Sequence, residues 1–427
     1  MGGIVSQLCA ETGLPKMHRV SQQFDRGRID AADIPAAIEA ELSRESLGNP
    51  IRSGMRVAIT CGSRGVANVA IITRAIADFV KSRGAHPFVI PAMGSHGGAT
   101  AEGQKALIAG YGVTEESAGC PIVSSMETVV IGESAEGHQV RIDRNAAGAD
   151  GIIVAGRVKP HTDFHGTHES GLMKMMTIGL GKREGADVCH DAGFAHMPRL
   201  VPLFGRCIIK NAPISLGLAI LETAYGETCK FAALRPDEID EKETALLEEA
   251  RTHLPLIYIE EADVLVIDRI GKDISGDGMD PNVTGATHCS PFVSGGLKAQ
   301  RTVVLDLTEA THGAALGIGA AHTITRRLFD KIDYESTYVN AITARNLDFI
   351  RIPCILDSDR EAVQLALRTC VGIDRDNPRI IRIADSLHTE SILVSEALKD
   401  EVEKNPKLKL LGGPEPWPFD DRGNLWQ

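Results

Sequence analysis

The chain has 427 residues, of which 43% are apolar and 24% charged, and its formal net charge is −12. This length exceeds what one hydrophobic core usually organises, so the sequence predicts two domains. The acidic balance, with no block of Lys and Arg, argues against nucleic acid or an anionic membrane surface as partner. No apolar run approaches the roughly 20 residues that cross a bilayer. The nine cysteines are scattered without a C-x-x-C pair, which fits a cytoplasmic protein.

In the first half of the chain, short apolar runs alternate with amphipathic stretches. This alternation is typical of a parallel α/β sheet whose strands are buried on both faces. The predicted strands are RVAIT (56–60), HPFVIPA (86–92) and GIIVAG (151–156). Helices are predicted from about Val66 to Lys81 and from about Thr100. An acidic helical stretch ends near 253–258, where we place the domain boundary.

The second half repeats the same alternation. Its predicted strands are 262–268, 302–307, 348–356 and 379–385, and its predicted helices are an Ala/Gly-rich stretch at 312–330, one that begins with a capping box of Ser358 and Glu361, and one near 390–404. The fold class is therefore α/β. We expect an N-terminal α/β domain at 1–255 and a C-terminal α/β domain at 256–427, with mainly parallel sheets.

A Gly-rich turn with a polar side chain follows each clear strand of the first domain. These side chains are Arg64, His96 and His161. In open parallel sheets, ligands bind beyond the carboxyl ends of the strands. The three turns therefore predict one ligand site at that edge of the sheet.

Two further features favour chemistry near His161. His161, His165 and His168 have an H-x3-H-x2-H spacing that is within reach of one metal ion, which is the basis for a zinc or manganese hydrolase or lyase. Lys174 lies among Leu and Met residues, where burial lowers the pKa of a lysine and makes it a nucleophile or an attachment point for a cofactor. The alternative for Lys174 is a stem packed among methionines with its ammonium in water.

Together these pieces resemble the nickel-dependent lactate racemase family. The resemblance covers roughly 56–190 and follows the family's order. Its elements are GSRG (62–65), GSH (94–96), VKPH (158–161), and Lys174 followed sixteen positions later by His190.

The resemblance implies two α/β domains that flank a central cofactor cleft. The cleft would hold a nickel-pincer nucleotide, a pyridinium-3,5-bisthiocarboxylic acid mononucleotide that grips a nickel ion. Lys174 would hold this cofactor through a thioamide, and His190 would be the protein ligand to nickel. His96 and His161 would be acid/base residues on opposite faces of the substrate.

Arginine suits a carboxylate because its fork binds both oxygens, so Arg64 would bind the substrate carboxylate beside the cofactor. Lys298 is a weaker candidate for contact with the cofactor or the substrate.

The implied activity is racemisation or 2-epimerisation of a 2-hydroxy acid. Hydride transfer gives a planar 2-keto acid, and hydride return to the other face inverts the carbon. Each configuration needs its own base, which histidine can supply near working pH. The segment TDFHGTHESGLM (162–173) is longer than in lactate racemases and rich in polar residues, so we expect a larger substrate such as a sugar acid.

Several alternatives stay open at this point. His165 or His168 could replace His161 as the second base, and the nucleotide could be held without a covalent link. A metallohydrolase or lyase at the histidine cluster is one alternative function. The other is a non-catalytic carrier for the nucleotide or a sugar acid. Expected partners are the hydroxy-acid substrate and the proteins that make and insert the cofactor, and a homo-oligomer stays open.

Overall fold

The computed structural model describes residues 3–426, apart from Arg64 and the side chain of Thr343. The chain divides into two compact units, Arg26–His253 and a second unit in which Met1–Asp25 joins Leu254–Gln427. The predicted domains differ from these units in one respect, because the prediction placed residues 1–25 with the N-terminal domain. Both units are mixtures of helices and mainly parallel multi-strand sheets, as the α/β prediction requires.

The strands are, in chain order, β1 (Met17–Gln22), β2 (Arg56–Cys61), β3 (His86–Pro91), β4 (Thr128–Glu133), β5 (Gln139–Asp143), β6 (Gly151–Arg157), β7 (Ile214–Glu222), β8 (Thr228–Leu234), β9 (Glu261–Ile270), β10 (Lys298–Leu307), β11 (Thr323–Thr325), β12 (Cys354–Leu356), β13 (Ile380–Ile383), β14 (Ser391–Ser395) and β15 (Leu408–Leu410). β4 and β5 form a small antiparallel ribbon of their own.

The α-helices are α1 (Ile4–Ala10), α2 (Ile34–Leu42), α3 (Val69–Ser82), α4 (Ala101–Gly110), α5 (Glu115–Ala118), α6 (Arg144–Ala147), α7 (Leu172–Lys174), α8 (Lys182–Ala192), α9 (Met197–Asn211), α10 (Pro236–Thr252), α11 (Pro281–Thr284), α12 (Arg326–Asp330), α13 (Tyr334–Ala344), α14 (Asp359–Arg368) and α15 (Lys399–Lys404). A π-helical segment, Met175–Leu180, separates α7 from α8. In the described part of the chain, no helix combines the length and apolar character needed to cross a lipid bilayer.

The unit Arg26–His253 is built on a five-stranded sheet of order β3-β2-β6-β7-β8. β3, β2, β6 and β7 are parallel, and β8 is antiparallel to β7. Successive residues of each strand point to opposite faces, so Ala58 packs with α9 and α10 while Ile59 packs with α2 and α3. The strands predicted at 56–60, 86–92 and 151–156 are thus confirmed, and their carboxyl ends lie at one edge of the sheet.

The second unit contains an eight-stranded sheet of order β12-β11-β10-β9-β13-β14-β1-β15. The five strands from β12 to β13 are parallel, and the last three pair in antiparallel fashion. Val20 of β1 pairs with Ile392 on one side and Leu410 on the other. Residues 1–25 belong to this unit because backbone pairing of β1 with β14 and β15 ties them to its sheet.

Three predicted elements of the second half are wrong. The helix predicted at 312–330 is a glycine-containing loop, followed by β11 and α12. Gly313 and Gly317 have positive φ values of 78° and 89°, which end any helix. The strand predicted at 348–356 shrinks to β12 after a 3₁₀ turn, and the helix near 390–404 is β14 followed by α15.

Candidate active site

His96 lies in the turn that follows β3. The turn packs closely against the π-helical segment, because the N–H of Gly94 donates to the carbonyl of Gly179 at 3.3 Å. A Cβ on Gly179 would lie 2.6 Å from the carbonyl oxygen of Ala92, so only glycine fits this contact. The side chain of His96 is exposed, and its Nδ1 lies 2.9 Å from the carbonyl oxygen of Met93. A carbonyl only accepts, so Nδ1 carries the proton and Nε2 holds the lone pair of the neutral ring.

A buried lysine holds the backbone of this turn in place. Lys182 is fully buried, and its Nζ donates to the carbonyl of Pro91 and, at 3.1 Å, to Oε1 of Gln104. Nε2 of Gln104 donates to the carbonyls of Gly94 and His96, at 2.8 and 3.3 Å. Burial lowers the pKa of Lys182, and the nearby carboxylate of Asp143 opposes that shift. The His96 turn is therefore fixed from behind by a chain of hydrogen bonds that begins at Lys182.

His161 lies in the turn that follows β6, and a buried carboxylate organises its loop. Oε2 of Glu169 accepts the backbone N–H of His161 at 2.7 Å, and Oε1 accepts that of Gly166 at 3.0 Å. The N–H of Asp163 donates to Nδ1 of His161 at 3.0 Å. Nδ1 therefore holds the lone pair, and the neutral ring carries its proton at Nε2. His96 and His161 thus have opposite protonation at Nε2 when both rings are neutral.

Lys174 and His190 are brought together by a change of chain direction at Lys182. Lys182 has φ = 54°, which interrupts the helical path between the π-helical segment and α8. It stands eight residues after Lys174 and eight before His190. A straight helix would separate residues sixteen apart by about 24 Å. The break at Lys182 instead allows both side chains to approach the same region, and both are half-buried.

Two phenylalanines connect Lys174, His161 and His190. The ring of His161 stacks on Phe164, with centroids 4.5 Å apart and an interplanar angle of 29°, and Nζ of Lys174 lies 5.9 Å from the centroid of Phe164. The rings of His161 and His190 lie 6.3 and 6.5 Å from that of Phe194. The three predicted residues therefore share one aromatic neighbourhood within the Arg26–His253 unit.

The thiol of Cys189 gives a further sign that Lys174 reaches α8. Burial raises the pKa of Cys189 to about 12, and the charge of Lys174 acts in the opposite direction. Cys189 directly precedes His190 in the sequence. Lys174 thus lies close enough to the C-terminal half of α8 for its ammonium to act on a group next to His190.

The other histidines of the predicted cluster have different surroundings. His168 is 2% exposed, with Nδ1 3.1 Å from Oγ1 of Thr167 and Nε2 2.8 Å from the carbonyl oxygen of Asp240. Burial lowers its pKa. His168 therefore supports the loop and is not available as a second base. Within residues 3–426 as described, no group of three or more His, Cys, Asp or Glu is arranged to hold a metal ion, so the three histidines do not form the predicted zinc site.

The remaining predicted ligand-binding residues are Arg64 and Lys298. Arg64 lies outside the described residues. Of the described residues before and after it, Ser63 accepts a hydrogen bond at its carbonyl from the hydroxyl of Tyr111 at 2.8 Å, and the N–H of Ala67 donates to Oε1 of Glu222 at 2.7 Å. Lys298 is the first residue of β10, is 73% exposed and pairs with Glu261 at 3.3 Å. It lies at the amino ends of the parallel strands of its own sheet, whereas ligands in such sheets bind at the carboxyl ends, and its role at the site stays a prediction.

Four further residues organise the site in roles that the sequence did not predict: Lys182, Glu169, Glu243 and Phe194. Glu243 is 1% exposed, and its Oε2 accepts the N–H of Met173 at 3.0 Å, next to Lys174. A signal for Glu243 does exist, because it lies on the same helical face as Ile239, Leu246 and Leu247, where a charged residue is out of place. Lys182 and Glu169 have no comparable local signal.

The candidate site thus groups Lys174, His161 and His190 around shared phenylalanines, and His96 lies in the turn after β3 at the same edge of the sheet. Residues 16–200 match the family model described as the lactate racemase N-terminal domain. Among solved structures, the chain is similar to the lactate racemase apoprotein from Thermoanaerobacterium thermosaccharolyticum, with a TM-score of 0.52 and 14% identity over 84% of this chain and 92% of that one. Comparison with curated proteins finds no match. Residues 16–200 are thus similar to the lactate racemase N-terminal domain, and the similarity to the solved apoprotein shows the same fold over most of the chain.

Proposed function

We propose that this chain is a racemase or 2-epimerase of a 2-hydroxy acid and works with a nickel-pincer nucleotide. One observation carries the proposal: Lys174 and His161 contact Phe164, and His161 and His190 contact Phe194, in a chain whose residues 16–200 match the lactate racemase N-terminal domain. The expected substrate is a larger hydroxy acid, such as a sugar acid.

The donor groups suit this cofactor. Lys174 is half-buried, with its Nζ beside the fully buried ring of Phe164, and a lysine amine can act as a nucleophile toward a carbonyl-type carbon once deprotonated. It would hold the nucleotide through a thioamide. His190 presents an imidazole, a ligand that nickel accepts readily. When bound, the nucleotide supplies the acceptor for a hydride from the carbon that bears the hydroxyl.

His96 and His161 are proposed to move the hydroxyl proton. His96 holds a lone pair at Nε2 and takes the proton from the substrate hydroxyl. His161 is proposed to enter the reaction as an imidazolium, to give one proton to the same oxygen after the carbon has been inverted, and to be left as a neutral ring. In the reverse direction the two imidazoles exchange roles. An acid/base pair of this kind typically contributes about 10²–10⁴-fold to a rate.

The substrate is proposed to be held by its carboxylate and its polar chain. Arg64 would bind the carboxylate with both arms of its guanidinium. The longer loop at 162–173 is the reason to expect a polyhydroxylated chain. His168 and Glu169 are buried and bond within the loop and to α10, so His165 and Thr167, which are more exposed, are the members of that loop proposed to meet the substrate.

The test is inversion by protein produced together with the enzymes that make the cofactor. Purified protein is incubated with single enantiomers or epimers of aldonic acids and short 2-hydroxy acids, and the products are resolved by chiral chromatography, with nickel and zinc measured in the same sample. We expect inversion of at least one sugar acid, in proportion to bound nickel. A panel left unchanged by nickel-loaded protein would refute the proposal. Ligand binding without inversion would instead support a carrier.

A further inference from the structure

Helix α10 contacts the loops that carry two of the proposed active-site residues. The first contact is made by Glu243 of α10, whose buried side chain lies against the start of α7. Its Oε2 accepts the N–H of Met173 at 3.0 Å, and Met173 is adjacent to Lys174. A Cβ on Gly171 would lie 2.4 Å from Oε1 of Glu243, so the chain passes the carboxylate too closely for any side chain. Glu243 therefore fixes where the Lys174 segment begins.

The second contact runs through Arg251 and Glu169. Nη2 of Arg251 donates to Oε1 of Glu169, whose side chain is completely buried. The same carboxylate accepts the backbone N–H groups of His161 and Gly166. Arg251 thus anchors to α10 the carboxylate that closes the His161 loop.

The two contacts come from one rigid element. Residues 243 and 251 are eight apart, which is about two helical turns, so both point to the same side of α10. The carbonyl of Asp240, about one turn earlier, lies 2.8 Å from Nε2 of His168 in the same loop. The helix packs into the core of the unit through the buried side chains of Leu246, Leu247 and Ala250. A displacement of either loop relative to the other would require α10 to move or one of these bonds to break.

We infer that α10 sets the positions of Lys174 and His161 relative to each other, with Glu243 and Arg251 as its two positioning residues. The inference rests on the proposed function for its catalytic meaning. Its structural content is independent of that function. Neither residue contacts the proposed reacting atoms directly, and each acts on a different site residue. Loss of Glu243 should therefore impair attachment of the nucleotide, and loss of the Arg251 contact should impair proton transfer.

The experiment compares Glu243→Met and Arg251→Lys with Glu241→Met, an exposed position on the same helix. In cofactor-free protein, Lys174 is labelled with an amine-reactive reagent and His161 with diethyl pyrocarbonate, and both rates are read by peptide mass spectrometry. We expect Glu243→Met to change the labelling rate of Lys174 by about threefold or more, as for loss of one ordinary hydrogen bond, and to leave His161 near wild type. Arg251→Lys should show the opposite selectivity. Glu241→Met should change neither rate, and Glu243→Gln, which keeps an oxygen that can accept from Met173, should stay closer to wild type than Glu243→Met.

The loaded protein supplies a second readout. We expect Glu243→Met to lower the fraction of chains that keep the nucleotide, with kcat per loaded chain little changed. Arg251→Lys should keep the nucleotide and lower kcat by about tenfold or more at unchanged KM, within the range for a misplaced acid/base group. Equal changes at Lys174 and His161 in both variants, or no change in either, would overturn the inference.

Two controls keep the result decisive. Near-ultraviolet circular dichroism excludes variants that have lost their tertiary structure, and Glu243→Asp, whose side chain is one methylene shorter, replaces Glu243→Met if the latter does not fold. If wild-type protein inverts no substrate, the proposed function fails, while the labelling rates still decide whether α10 positions the two residues.

Discussion

Nζ of Lys182 lies 3.2 Å from Oδ2 of Asp143, and neither side chain is exposed to solvent. The pair sits where the chain turns between Lys174 and His190, and Lys182 also binds the end of β3 through the carbonyl of Pro91. Removing one member of a buried ion pair leaves the other charge unpaired, which typically costs about 3–5 kcal/mol. The ion pair therefore stabilises both the fold and the arrangement of the proposed site.

We predict that Lys182→Met destabilises the protein by an amount in that range, and that the double variant Lys182→Met/Asp143→Leu recovers part of the loss. Both effects are measured as changes in the free energy of unfolding of the Arg26–His253 unit, from thermal and urea unfolding. A single variant as stable as wild type would show that the pair is not required. A double variant less stable than the single would show that the remaining carboxylate is not the source of the cost.

The pKa of Glu243 predicts a specific dependence of stability on pH. Burial raises this pKa from 4.5 to about 7, and the charge of Asp240 acts in the same direction, while backbone hydrogen bonds from Met173 and Leu172 oppose the shift. The folded protein therefore holds a proton that the unfolded chain releases near pH 4.5. The resulting stability is fully present below pH 4.5 and is lost as pH rises through about 7, with an upper bound of about 3 kcal/mol.

Replacing Glu243 by Gln removes this titration. We expect wild type to lose more stability than E243Q between pH 5 and pH 8, as measured by melting temperature at each pH, with Glu241→Gln as the control. Parallel curves for wild type and E243Q would mean that Glu243 does not titrate in this range.

Substitution of the loop histidines should distinguish a base from structural residues. We predict that His161→Gln lowers kcat by about 10²–10⁴-fold with the nucleotide retained, because a proposed acid/base group is lost. His168→Gln should chiefly lower the melting temperature, because a buried ring bonded at both nitrogens is replaced. Steady-state kinetics and unfolding are measured on the same preparations. If His165→Gln abolishes inversion and His161→Gln does not, the second base is His165.

Lys298 is a predicted site residue whose substitution we expect to have little effect on activity. Its exposed pair with Glu261 is of a kind worth about 0–1 kcal/mol, and the residue lies at the amino edge of its sheet. We expect Lys298→Ala to leave kcat, KM and nickel content close to wild type. A large rise in KM or a loss of nickel would restore the role that the sequence suggested for it.

The elements that the sequence predicted well are those whose signal is local. The apolar runs at 56–60, 86–92 and 151–156 became β2, β3 and β6 because their side chains are buried on both faces. By contrast, β1 exists because it pairs with β14, about 370 residues later in the chain, and no local pattern encodes that contact. The Ala/Gly-rich stretch at 312–330 had helical composition, but Gly317 lies so close to the carbonyl of Asp277 that a Cβ would sit 1.9 Å from that oxygen.

The same distinction holds for the candidate site. Lys174, His161 and His190 could be selected from motifs and spacing, and the structure brings them to shared aromatic neighbours. Glu243 and Arg251 act on that site from a helix about 70–80 residues further along the chain. Their roles depend on tertiary packing and could be recognised only once α10 was seen beside the loops.

The most direct test of the central claim follows the hydrogen on the inverted carbon. A substrate carrying deuterium at C2 is incubated in ordinary water with nickel-loaded protein, and the inverted product is analysed by mass spectrometry and NMR. Transfer of that hydrogen as a hydride, away from solvent, predicts that the product keeps the deuterium at C2. Inversion accompanied by replacement of deuterium with solvent hydrogen would contradict the account.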